Sequence, residues 1–92
     1  MTKKVSLSCG KYLDIAHVAD IKSRVNKAFE KSGEVFMISA DKIERVDSAG
    51  IQLLLVTSRK CRKHKIDFKI VKYSAVFHSA IELLGLTEHL SI

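Results

Sequence analysis

The chain has 92 residues, 47% of them hydrophobic and 28% charged, with a formal net charge of +6 and a pI near 9.5. That length holds one small domain without room for a second core, and the balance is that of a globular chain rather than a disordered one. No apolar run approaches the ~18 to 20 residues that span a bilayer, and the lysines of "MTKKVSLSCG" have no apolar stretch behind them, which argues against a secretory signal or membrane insertion and makes the cytosol the expected location.

"KVSLS", Lys4 to Ser8, alternates Val5 and Leu7 on one face and predicts a short strand; "GKYL" then predicts a turn and a second short extended piece. From His17 to Phe29, Val18, Ile21, Val25, Ala28 and Phe29 recur at helix spacing, with Asp14 just upstream as a helix-start residue. "KSG", Lys31 to Gly33, is expected to end this helix. "EVFMISA", Glu34 to Ala40, is a continuous apolar run and predicts a strand buried on both faces. "DKIERV" is expected to be a connector to Asp47. A second helix is predicted from about Ala49 to His64, with Ile51, Leu54, Leu55 and Ser58 on one face.

"DFKIVKY", Asp67 to Tyr73, predicts a strand with Phe68, Ile70 and Val71 turned inward. "SAVFHSAIELLG" predicts a third helix, capped by Ser74 and followed by Gly85, with Val76, Phe77, Ala80, Ile81 and Leu84 as its apolar stripe. "LTEHLSI" reads as a last strand or an irregular piece. Strand–helix–strand units call for parallel pairing and helical crossovers. The expected fold is therefore a single α/β domain over residues 1–92, built on a mixed sheet with helices packed against it.

Cys9 and Cys61 have no metal-like spacing and read as reduced, packed thiols. The four histidines, His17, His64, His78 and His89, are scattered, so no metal is assigned. No nucleotide signature is present, since the four glycines are dispersed singles, and no cofactor is assigned. The basic cluster "SRKCRKHK", Ser58 to Lys65, reads as the solvated end of the second helix, with a contact to an acidic partner or a phosphate as the alternative. No aromatic residue interleaves with it, so no specific nucleic-acid platform is expected.

The chemistry-bearing stretch is "RVDSAGIQLLL", Arg45 to Leu55. Asp47 to Gly50 falls where a loop enters the second helix, so free N–H groups and the positive end of the helix dipole point outward there. Ser48 or Asp47 can cap the helix at that point. The same place tolerates a phosphate. A phosphate beside Asp47 adds like charge, and on a docking surface it repels a partner. Gly50 fits two roles, close packing inside the protein or close approach of a partner backbone. "DSAG" lacks the first glycine of the nucleophile elbow, so a hydrolytic serine is not indicated.

With these residues in view the chain resembles the STAS domain family, the sulfate-transporter and anti-sigma-factor-antagonist domain, over nearly its whole length. "YLDIAHVADIKSRV" is similar to the family's leucine–aspartate entry to its first helix, with Leu13 and Asp14 in those places; Ala16 and His17 stand where the family usually has Thr or Ser. "VFMISADKIERVDSAGIQLLL" resembles the central strand, loop and Asp-Ser/Thr-x-Gly helix start, and "LGL", Leu84 to Leu86, the C-terminal Leu-Gly-Leu/Phe. The resemblance implies a four- or five-stranded mixed sheet and no enzymatic activity. It also implies phosphorylation of the residue matching Ser48 by a kinase that is itself an anti-sigma factor and binds only the unphosphorylated form. Asp14, Asp47, Ser48, Ala49 and Gly50 match positions at or beside that binding surface. Many antagonists carry a second Ser or Thr at Ala49, so the acceptor here narrows to Ser48. The "VDSAG" form and compact length also resemble the STAS subunit that binds the ATPase of phospholipid-transport ABC complexes. A nucleotide-binding or enzymatic domain is the reading from another class.

Overall fold

A computed structural model describes residues 4–31 and 33–90. The elements run β1 (Lys4–Ser8), β2 (Tyr12–Leu13), α1 (Val18–Phe29), β3 (Val35–Ala40), β4 (Arg45–Val46), α2 (Ser48–Lys63), β5 (Asp67–Tyr73) and α3 (Ala75–Leu83). The α/β class and the five strands agree with expectation. Their arrangement refines it: among the described residues every pairing is parallel, in a three-stranded sheet ordered β1-β3-β5 and a separate β2-β4 pair, rather than one mixed sheet. Parallel neighbours must be joined by crossovers, and α1 and α2 supply them.

β3 is central because its continuous apolar run can be covered on both faces. Val35, Phe36, Ile38 and Ala40 are buried. Opposite it, Ile38 registers with Ile70 and Ser39 with Lys72, so β5 carries one extra residue, Val71. The inward placement of Val71 is overturned: it is exposed, while Ile70 is buried and Phe68 half-buried, as alternation along the strand requires. The core is completed by Ile21, Val25 and Ala28 of α1, Ile51, Leu54 and Cys61 of α2, and Phe77 and Ile81 of α3.

Several local readings change. α1 stops at Phe29, ahead of Lys31 to Gly33, with Ser32 outside the described residues. Asp14 does not cap it: the cap position is His17, without a side-chain bond. "DKIERV" is more than a connector, since Arg45 and Val46 pair with Tyr12 and Leu13. α2 buries Leu53, Thr57 and Cys61 as well as Ile51 and Leu54, while Leu55 and Ser58 are half-buried. In α3, Val76 and Leu84 are exposed, and only the i, i+4 pair Phe77 and Ile81 is fully covered. The tail folds as a turn, with the Leu90 N–H donating to Leu86 O and Leu90 buried; Ser91 and Ile92 lie outside the described residues.

Ser74 caps α3 as expected. Its Oγ accepts the Phe77 N–H at 3.2 Å and donates to Ile43 O at 2.7 Å, so the cap also ties α3 to the segment before β4. Both thiols are free and buried; burial pushes Cys9 up to about 11 and raises Cys61 as well, so neither is a thiolate near neutrality. No described helix is long and apolar enough to cross a membrane.

Leu54 is fully buried between these layers, whereas Leu83 is 87% exposed. Leu54→Ala is expected to destabilise by about 2–5 kcal/mol, and Leu83→Ala to stay within about 0.5 kcal/mol of the parent, as read from urea unfolding.

Candidate functional site

The β2-β4 pair brings two distant segments of the chain together. Beyond its two residue pairs the ladder is extended at both ends: the Glu44 and Arg45 N–H groups donate to Lys11 O, and the Asp47 N–H donates to Leu13 O. The loop after β2 therefore lies against the entrance of α2.

Asp47 occupies the N-cap of α2 in extended backbone, φ −132 and ψ −179. Its carboxylate takes two donors from different elements. The Gly50 N–H donates to Oδ1 at 3.0 Å, which caps the helix; the Ile15 N–H donates to Oδ2 at 2.8 Å, which pins the loop after β2. These two N–H groups, Gly50 first, hold the Asp47 carboxyl below its ordinary range, so it is ionised at neutral pH.

Gly50 is buried against the same loop. A Cβ built on it would stand 2.1 Å from Leu13 O and 2.6 Å from Leu13 Cγ. Glycine is required here for space, since its backbone is ordinary helix. Of the two roles open to Gly50 in the sequence, the geometry fills the internal one.

Ser48 is the first helical residue. It is exposed, and its Oγ makes no hydrogen bond among the described residues. The cap therefore belongs to Asp47 alone. Ala49 is half-buried. Asp14 is buried at 6% exposure, and its carboxylate receives the ring of His17, Nδ1 to Oδ1 at 2.6 Å. The five expected site residues thus converge on one junction but divide its work: Ser48 faces outward, Asp47 bridges, and Asp14 and Gly50 are inside.

The sequence reading missed the exposed rim. Ile15 is 71% exposed beside the Asp47 carboxylate. Tyr12 stacks on His17 at 5.2 Å, and the Arg45 guanidinium lies 5.7 Å from the Tyr12 ring centre. The available signal was Ile15 itself, a large apolar residue outside the α1 stripe. Neither His17 nor His78 is hydrogen-bonded to Ser48; His17 is held by Asp14, and His78 pairs with Glu82 at 3.1 Å. No cluster of three or more ligating side chains suited to a metal occurs among the described residues.

Comparison with known proteins agrees with this architecture. A family model described as the STAS domain matches residues 4–92. Among solved structures, a sulfate transporter family protein from Wolinella succinogenes superposes with a TM-score of 0.74 at 19% identity, covering 95% of this chain and 70% of that one. No curated protein sequence matches.

Two outcomes check the junction. Helix propensity alone would favour alanine over Gly50 by about 1 kcal/mol. The neighbouring atom is a backbone carbonyl that cannot rotate away, so Gly50→Ala is expected to lose about 3 kcal/mol net, whereas Ser48→Ala stays within about 0.5 kcal/mol. Asp47 has a native pKa below its unfolded value of about 3.9, so its stabilisation is full above that value and is lost as pH falls through the native one. The gap in Tm between parent and Asp47→Asn should therefore be widest near neutral pH and narrow below about pH 4 in thermal melts.

Proposed function

The chain belongs to the STAS domain family, and on that premise we propose that it is a non-enzymatic, phospho-regulated protein-binding module of the anti-sigma-factor-antagonist type. It acts in the cytoplasm and docks a partner resembling an anti-sigma factor and serine kinase while Ser48 is unmodified. The observation that carries this reading is the free hydroxyl of Ser48. Asp47 already caps α2, so Ser48 stands exposed at the junction with no structural task.

The docking face includes Ser48, with Ala49 beside it and Ile15 on the rim. Asp47, Asp14 and Gly50 shape that face from beneath: Asp47 and Gly50 join the loop after β2 to the helix entrance, and Asp14 braces the loop internally through His17. The exposed Ile15 offers apolar surface of the kind an interface covers.

Phosphorylation would add about −1.5 to −2 charge at Ser48. The start of α2 tolerates that anion through its remaining N–H groups, but the Gly50 N–H is already engaged by Asp47. The new charge therefore stands beside an ionised carboxylate. The fold survives while the face changes from a neutral hydroxyl to a dense negative patch, which opposes a partner matched to the hydroxyl.

Ser48→Asp is expected to melt like the parent but bind the partner about tenfold or more weakly. Ser48→Ala should bind as the parent does and gain no phosphate. Calorimetric titration against the partner recovered by pull-down, with intact-mass analysis of the recovered chain, reads both. Equal affinity of parent and Ser48→Asp would sink the switch and leave constitutive docking, as on the ATPase of an ABC complex.

A further inference from the structure

The C-terminal end of α2 departs from a rule that α3 keeps. Both helices close with the same pair of backbone bonds. At α3 the Leu86 N–H donates to Ile81 O and the Gly85 N–H to Glu82 O; at α2 the Ile66 N–H donates to Cys61 O and the Lys65 N–H to Arg62 O. Such a closure places one residue in left-handed backbone, φ +68 at Gly85 and φ +59 at Lys65. Glycine is the usual occupant because a Cβ there crowds the following carbonyl. Lys65 is the one non-glycine residue with positive φ among the described residues. Backbone strain of this kind persists where a side chain is wanted for something other than folding.

The Lys65 side chain lines an open groove of about 410 Å³, together with Ser58, Arg62, Asp67, Phe68 and His89. Neither Arg62 nor Lys65 has a carboxylate within ion-pair distance among the described residues, in contrast to Arg24, which pairs with Asp20. The groove therefore gathers two unpaired cations, an imidazole and a hydroxyl. Ile66 and Phe68 supply its apolar lining, and it is larger than a bare phosphate ion needs. The last carbonyls of a helix disfavour an anion, but Lys60 O, Cys61 O and Arg62 O already accept backbone N–H groups. Asp67 supplies an acceptor that suits a hydroxyl of the ligand and disfavours a bare anion.

We propose that this groove binds a phosphate monoester, with Arg62, Lys65 and His89 on the phosphate, Asp67 on a ligand hydroxyl and Phe68 against the organic part. Charge-assisted bonds from arginine and lysine are the strong contacts for such a dianion. The site lies at the far end of α2 from Ser48, about 24 Å along a 16-residue helix, and is independent of the reading of that serine.

The test is an amide-shift titration of the whole chain with inorganic phosphate, glycerol 3-phosphate, vesicles of phosphatidic acid in phosphatidylcholine, and a short DNA duplex whose phosphates are diesters. Glycerol 3-phosphate or the phosphatidic acid vesicles should saturably shift Arg62, Lys65 and Phe68 and bind more tightly than inorganic phosphate. Saturation by the soluble ester assigns a free metabolite; saturation by the vesicles alone assigns a lipid headgroup. Lys65→Gly should raise Tm, because it relieves the strained backbone, yet weaken binding about tenfold. Arg62→Gln should weaken it similarly without that rise in Tm. Undiminished affinity in Lys65→Gly, tighter binding of the duplex with shifts spread over Lys60 and Lys63, or no binding to any probe overturns the proposal.

Discussion

The closest constraint in this molecule is the approach of Gly50 to the backbone of Leu13. There is no space for a single methyl group between the first turn of α2 and the strand end beside it. That approach fixes how α2 enters the fold, and α2 is the crossover that delivers β5 to the sheet. It also brings Asp47 within reach of the Ile15 N–H, so one carboxylate caps a helix and pins a loop. A side chain at position 50 would separate these elements, and the short β2-β4 ladder has only two residue pairs with which to resist.

Because Asp47 satisfies the helix start, Ser48 is released from it. Cap and phosphoacceptor compete for one serine only as long as the aspartate is ignored. With the aspartate in the cap, the hydroxyl projects from the first turn with no internal partner. A modification there alters surface charge without removing a bond that holds the fold, which is the physical condition for a switch that leaves the domain intact.

The two ends of α2 invert the usual assignment of residue types. At the N-terminus an acidic cap and a glycine serve packing, and the neighbouring serine is spare. At the C-terminus a lysine holds the left-handed position that glycine fills at the end of α3. One end is optimised for contact between elements. The other carries conformational strain together with unpaired cations. A single helix thus presents two chemically opposite surfaces, separated by a buried stretch that includes Ile51, Leu54 and Cys61.

Much of this was legible in the chain itself. The helix spacing of Val18, Ile21, Val25 and Ala28, the continuous run of β3 and the Ser74 cap with Gly85 behind α3 are local patterns, and local backbone preference and burial dictate them. The convergence on "DSAG" was legible for the same reason, since a helix start exposes N–H groups wherever it occurs. The division of labour within that knot was not. Whether Gly50 is needed for space depends on Leu13, 37 positions earlier, and whether Asp47 or Ser48 caps depends on a second donor from Ile15. The exposure of Val71 follows from strand alternation once Phe68 and Ile70 face inward, whereas the register slip that leaves it without a partner on β3 could not be read from the chain. The strain at Lys65 is equally a property of the closed turn and not of the lysine. Sequence determined which segments form helices and strands, because those choices are made by neighbours along the chain; the tertiary structure alone decided which serine, glycine or lysine is free to act, because that is settled by atoms the chain brings together from afar.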